Sequence, residues 1–347
     1  MTSAVGHKYR ALDALRGVAA ISITLGHLQL LDGFPNFFSS YLAVDLFFAL
    51  SGFVIARAYQ PRLADGLGAK RFMLLRAIRL WPLTLLGILL AAVQTISFLG
   101  LGSEFDGVLD VGMVAVLNGL FIPAIPTRST LFPINPPIWS LFYELLINLV
   151  YASGLWKLPA RGVGWMLLVA GLCEMLVCVR YNGMSLGFRA PQFPFAMVRV
   201  TFSFFLGVFM HQSRANWMAR IPDLDWRWLA LTTVLLLSVP HLGPGQMLYD
   251  AAFVFLFSPM LIMMGARSVQ HTGARSTAIW LGEISFPLYA LHYPFITAME
   301  IITSGRPILH LWMGISLTIM LVLLMRPVAI LYDEPVRRWL ERAIRVS

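Results

Sequence analysis

Residues 12–31 read LDALRGVAAISITLGHLQLL, a largely apolar run of twenty residues that carries Asp13, Arg16 and His27 inside it. An α-helix needs about 20 mostly apolar residues to cross a hydrocarbon core of about 30 Å, because it rises about 1.5 Å per residue. The run therefore reads as a membrane helix. Its length and its internal ionisable residues argue for a retained helix rather than a secretory signal peptide, even with Lys8 and Arg10 just ahead of it.

Nine more apolar runs follow, over 38–58, 80–101, 137–156, 164–181, 195–211, 226–239, 248–266, 279–302 and 309–332. Hydrophobic residues make up 58% of the 347 and charged residues 12%, too little polar side chain to cover a soluble surface. The expected fold is an all-α polytopic membrane protein, a bundle of about ten transmembrane helices. No linker, low-complexity tract or fixed-period repeat divides it, so 1–347 reads as a single domain. Cys173 and Cys178 sit five apart in one apolar run, which gives neither a disulfide framework nor a metal site.

The stretch 108–125 is also apolar, but it carries Asp110 and Asn118 and runs into prolines 123, 126, 133, 136 and 137. The excess of Lys and Arg on the cytoplasmic side decides its status. If it does not cross and the N-terminus is inside, 19 of the 26 basic residues fall on inner segments and four, Arg128, Arg180, Arg189 and Arg306, on outer ones. If it crosses, the split falls to about 12 against 11. The segment near 108–125 is thus expected to be re-entrant or interfacial, with both termini cytoplasmic in an inner membrane. The net charge of +9 is spread over short inner loops and the tail, so it implies membrane lipids as partners and no nucleic acid.

Ionisable groups inside membrane helices are costly and mark function by default. On an ideal helix Asp13, Arg16 and His27 lie within about 60° of one another, with Arg16 and His27 about 16 Å apart along the axis. Read blandly, they are an ion pair and a core histidine. In the fourth run Ser140, Glu144, Asn148 and Tyr151 form a second polar stripe, and Glu144 is expected at a depth similar to His27. Ser285, Tyr289 and His292 share a face of the ninth run, where the alternative is a hydrogen-bond ladder between helices. For Asp45, Arg199, Asp250, Glu283 and Arg326 the expectation is ion pairing within the bundle. Arg71, Arg76 and Arg79 are placed to reach one anionic ligand, since the guanidinium fork suits phosphate; the bland reading is contact with anionic lipid heads.

At these residues the chain resembles the acyltransferase-3 family of integral membrane acyltransferases, which includes enzymes that acetylate exopolysaccharides, O-antigens and nodulation oligosaccharides. Six segments carry the resemblance: YRALDALRGVAAISITLGH (9–27), YLAVDLFFALSGFVIA (41–56), RFMLLRAIRLWPL (71–83), PPIWSLFYE (136–144), SFPLYALHYPF (285–295) and DEPVRRWL (333–340). They hold Arg16 and His27; Asp45, Ser51, Gly52 and Phe53; Arg76 and Arg79; and Trp139, Ser140, Leu141 and Glu144. Many members follow the glutamate with a second acidic residue, where this chain has Leu145.

The resemblance implies acyl-CoA, with acetyl-CoA the expected form, as a co-substrate entering from the cytoplasm. It also implies a carbohydrate acceptor, free or lipid-linked, and no permanently bound cofactor. Arg16, Arg76 and Arg79 are the expected acyl-CoA contacts. His27 is assigned as general base or transient acyl carrier, with Glu144 orienting it or sharing its proton. Asp45, Ser51, Trp139, Ser140, Tyr289 and His292 are expected to line or support the acceptor site, and no metal ligand set is evident. The rival reading is a secondary transporter or proton-coupled flippase, in which the same His, Glu and Asp form a proton relay.

Overall fold

The computed structural model describes residues 9–31, 38–98, 105–125, 128–268, 275–303 and 307–346. Lys8, Pro126 and Arg306, which bear on the topology, lie outside the described residues. Among the described residues the regular structure is helical, with loops between the helices and one isolated bridge between Thr130 and Arg189. Its helices are α1 (Arg10–His27), α2 (Ala43–Ala64), α3 (Ala69–Ser97), α4 (Val108–Gly119), α5 (Trp139–Ala152), α6 (Ala160–Tyr181) and α7 (Phe193–Gln212). After these come α8 (Arg214–Trp217), α9 (Trp226–Leu237), α10 (Gln246–Ala252), α11 (Ser258–Arg267), α12 (Arg275–Thr303), α13 (Pro307–Val328) and α14 (Glu334–Val346).

Among the described residues, seven helical segments are long and apolar enough to cross a membrane: 10–30, 39–64, 69–97, 160–181, 190–212, 243–267 and 311–344. The other three expected crossings are also helical. However, α5 and α9 have only 14 and 12 residues, and α12 carries Glu283, Ser285 and His292 along its 29 residues. Helix α4 has 12 residues, the same length as α9, which is about 18 Å of rise. The backbone amide of Asp106 and the guanidinium of Arg128 hold the Asp110 carboxyl of α4 below the usual carboxylate range, with some opposing desolvation.

An outward apolar stripe shows where lipid would lie. On α6 the side chains of Trp165, Leu168, Val169, Leu172, Leu176 and Val179 are exposed at helical spacing, while Val163, Gly171, Glu174 and Cys178 on the other face are buried. In water such a stripe would be a large uncovered patch; in a bilayer it is the solvated face. Cys173 is exposed and Cys178 buried, both as free thiols.

Two helix pairs position the interior. Asp45 meets Arg199 and Phe53 stacks on His211, so α2 and α7 run parallel. A Cβ on Gly52 would collide with the Phe204 carbonyl, and one on Gly207 with that of Ala49, so these glycines let the two backbones touch. Helices α1 and α12 are likewise parallel: Gly17 abuts Leu281, and ten residues on His27 meets His292. If α3, α5 and α6 cross the bilayer, α7 returns parallel to α2 only when α4 does not cross. The parallel packing agrees with the charge count.

Candidate active site

Three arginines converge on one cavity of about 180 Å³, lined among others by Arg16, Ser51, Arg76, Arg79, Ser140, Glu144, Ser285 and Tyr289. The elements that bring them together are α1, α2, α3, α5 and α12. Arg16 is bridged to Asp13 one turn earlier, at 2.7 Å. Arg76 Nη2 donates to Glu144 Oε1 at 2.9 Å, and the same carboxylate accepts from Ser51 Oγ and, at 3.2 Å, from Asn148. Arg79 lies 3.5 Å from Asp333, which a π-helical turn over 329–333 places between Arg79 and Arg337. The Nε atoms of Arg16 and Arg76 are buried with no hydrogen-bond partner among the described residues. Each of the three guanidiniums thus has a carboxylate partner, of which Glu144 lines the cavity, and Arg16 and Arg76 have a donor to spare.

Toward the other end of α12 the site changes character. Tyr289 reaches α5, with its hydroxyl 2.6 Å from Ser140 Oγ and donating to the Pro137 carbonyl at 2.9 Å. One turn further along α12, His292 Nε2 lies 3.1 Å from His27 Nδ1. His27 Nδ1 is also 3.0 Å from the Ile23 carbonyl. A ring nitrogen facing a carbonyl oxygen carries the proton, so Nε2 of neutral His27 is the bare, basic nitrogen. Tyr293 stands edge-on to the His27 ring, which is partly exposed.

The structure departs from the sequence reading at several residues. Glu144 is not beside His27: among the described residues its partners are Arg76, Ser51 and Asn148. The Ser140–Tyr289 contact marks a common level. Glu144 lies a turn from it toward the arginines and His292 three residues away from them, so Glu144 and His27 are separated by on the order of 10 Å along the bundle. Arg71 does not join Arg76 and Arg79. It lines a separate groove with Arg62, Asp65 and Glu341.

Asp45 lies outside the cavity, in a fully buried fork-to-fork pair with Arg199 at 2.9 and 2.6 Å, to which Ser203 adds a third hydrogen bond. Trp139 is outside it too, under the Arg199 guanidinium and against Gly187, whose φ of 127° and lack of a Cβ leave room for the indole. Glu283 pairs with Arg326 as expected. Asp250 instead takes neutral donors, from Tyr41, Gln246 and the Met184 amide. Among the described residues Ser285 bonds its own helix, at Gly282, so the ladder between helices rests on Tyr289 and His292.

The sequence reading gave no role to Asn135, whose amide donates to the Ala290 carbonyl at 3.1 Å and ties the turn before α5 to α12. The carbonyl it reaches lies four residues before Pro294, which has no N–H to offer it; that proline was the available signal.

Comparisons with known proteins show the family. The Acyl_transf_3 model, described as an acyltransferase domain, matches residues 9–332. The chain is 42% identical over 164 residues to "Protein 2 in picA locus" of Rhizobium radiobacter, covering 44% of this chain and 85% of that protein. It is 28% identical over 279 residues to "Acyltransferase MdmB" of Streptomyces mycarofaciens, covering 74% and 68% respectively. No solved structure matches. With a match from Tyr9 to Tyr332 and a site assembled from the residues of that match, this chain belongs to the acyltransferase-3 family of membrane acyltransferases.

Proposed function

We propose that this acyltransferase moves an acetyl group from cytoplasmic acetyl-CoA to a hydroxyl of a surface or exported carbohydrate, free or lipid-linked, in the inner membrane. The observation that carries the reading is the cavity lined together by Arg16, Arg76 and Arg79, with buried guanidinium donors of Arg16 and Arg76 left over beyond their carboxylate pairs. Such a site suits the phosphates of coenzyme A, because guanidinium forks donate paired hydrogen bonds to phosphate oxygens. Glu144 and Ser51 hold Arg76 in place until the donor arrives.

A sugar hydroxyl is a weak nucleophile at neutral pH and needs a base. His27 Nε2 takes the hydroxyl proton as the oxygen bonds to the acyl carbon. The carbon–sulfur bond then breaks, and the CoA thiolate leaves with the proton that His27 returns. The partly exposed ring of His27, at the far end of the helix from Arg16, supports an acceptor arriving from the other side. Tyr289 and Ser140 lie between the two ends, where the thioester would sit.

Purified protein given labelled acetyl-CoA, with and without candidate glycans, tests the reading. Label in the glycan, or slow release of free CoA, supports it. No consumption of acetyl-CoA by folded protein would overturn it. Mass spectrometry of cell-surface glycans with and without the protein identifies the acceptor.

A further inference from the structure

We infer that His292 is a positioning residue that works with His27 as a dyad: its Nε2 accepts the Nδ1–H of His27 and stabilises the imidazolium formed when His27 takes the acceptor's proton. The inference rests on the reading of His27 as base and goes beyond it by naming what makes that imidazole a competent one.

Proton placement sets the roles of the two rings. His292 Nδ1 lies 3.0 Å from the Leu288 carbonyl and 2.9 Å from that of Tyr289. Oxygen lone pairs on two sides require a proton on that nitrogen, so in the neutral ring Nε2 carries none. That bare Nε2 is the atom 3.1 Å from His27 Nδ1. His27 Nδ1 is itself protonated because it faces the Ile23 carbonyl. The two backbone carbonyl sets therefore fix both tautomers in advance, and the one Nδ1–H of His27 is shared between the Ile23 carbonyl and the His292 Nε2 lone pair. Reversing the roles would turn each Nδ1 lone pair onto the carbonyl oxygens it faces.

His292 is fully buried, and its ring centroid is 4.9 Å from that of His27, so water does not substitute for it. In serine hydrolases a carboxylate does this work for a histidine base. A neutral imidazole acceptor avoids placing a net negative charge inside the membrane. When Nε2 of His27 takes the hydroxyl proton, the positive charge spreads onto Nδ1–H and strengthens its bond to His292. When the thiolate takes that proton back, both rings return to their starting tautomers, so no proton is gained or lost over a cycle.

Two variants of His292 separate this role from simple packing. His292→Phe keeps a ring and fills the site but offers no lone pair. His292→Gln places a carbonyl oxygen near the former Nε2. Each is measured for turnover, for KM of acetyl-CoA, and for the rate at which diethylpyrocarbonate modifies His27, read by peptide mass spectrometry. The last readout does not depend on catalysis.

His292→Phe should lower kcat by about 10- to 100-fold at nearly unchanged KM, and slow His27 modification severalfold; the glutamine variant should recover much of both. Equal loss in the two variants, or His27 modification at the wild-type rate in His292→Phe, would overturn the dyad. If His292→Phe does not fold, the glutamine variant decides alone: turnover as low as in His27→Ala overturns the inference. Full turnover by His27→Ala would instead reject His27 as base, while the modification rates would still report whether His292 acts on its ring.

Discussion

Arg76 and Glu144 meet at 2.9 Å between α3 and α5, with side chains only 14% and 10% exposed, so a residue expected to greet the donor is already paired inside the bundle. The sequence reading placed Arg76 at an anionic ligand or at lipid heads. Removing one partner of a buried pair leaves the other uncompensated, at a penalty of about 3–5 kcal/mol.

Arg76→Ala should therefore destabilise the protein as well as weaken acetyl-CoA binding. Adding Glu144→Gln should recover much of the stability and none of the binding. Thermal unfolding in detergent and a CoA-binding assay read the two effects separately. An alanine variant as stable as the parent would remove the pair from the stability argument.

Arg79 gives the cleaner test of the donor site. Its side chain is 39% exposed, and Asp333 keeps Arg337 at 3.0 Å when Arg79 is lost. Arg79→Ala should fold normally and bind acetyl-CoA about 10-fold more weakly, the worth of one charge-assisted contact. Lysine should rescue only in part, since it keeps the charge and loses the fork. Unchanged binding would assign Arg79 to lipid headgroups.

His27→Ala should insert, fold and bind acetyl-CoA, with transfer reduced by about 10²- to 10⁴-fold. Glu144→Gln should also impair transfer, through Arg76 and Ser51. Because Glu144 and His27 share no hydrogen bond among the described residues, their effects should multiply in the double variant. A double variant no worse than His27→Ala alone would mean the two act as one unit after all.

The Asp45–Arg199 pair should behave as structure, not chemistry. Both side chains are 1% exposed. Asp45→Ala should lose about 3–5 kcal/mol of stability. Arg199→Lys should lose less, keeping the charge and giving up one arm of the fork. A stable, well-folded Asp45→Ala that fails only in acceptor use would return Asp45 to the acceptor site.

Topology is open to direct test. Reporter fusions after Ser347 should lie in the cytoplasm, and those within residues 128–136 outside it. A fusion after Ser347 that reports from outside would break the ten-crossing arrangement.

The bundle was legible in the sequence because a bilayer leaves few options. Backbone groups in hydrocarbon must bond within their own helix, and about 20 apolar residues set the length, so runs such as 12–31 and 164–181 announce themselves. The charge bias likewise marked 108–125 as an exception, which the reporter fusions test. Arg16, Arg76, Arg79, Ser51, Ser140, Glu144 and Tyr289 were all named from pattern and resemblance, and all line one cavity.

What the sequence alone determined was which polar residues enter the membrane; which of them touch was decided only by the tertiary structure. Depth counted from the start of an apolar run put Glu144 level with His27. The true offsets between helices come from backbone contacts at small residues, Gly17 against Leu281 and Gly52 against Phe204, and from the short turn 136–138 that sets where α5 begins. A rise of about 1.5 Å per residue turns a few residues of slip into a different partner. Glu144 accordingly meets Arg76, and His27 meets His292, a contact between residues 265 positions apart that no local spacing encodes.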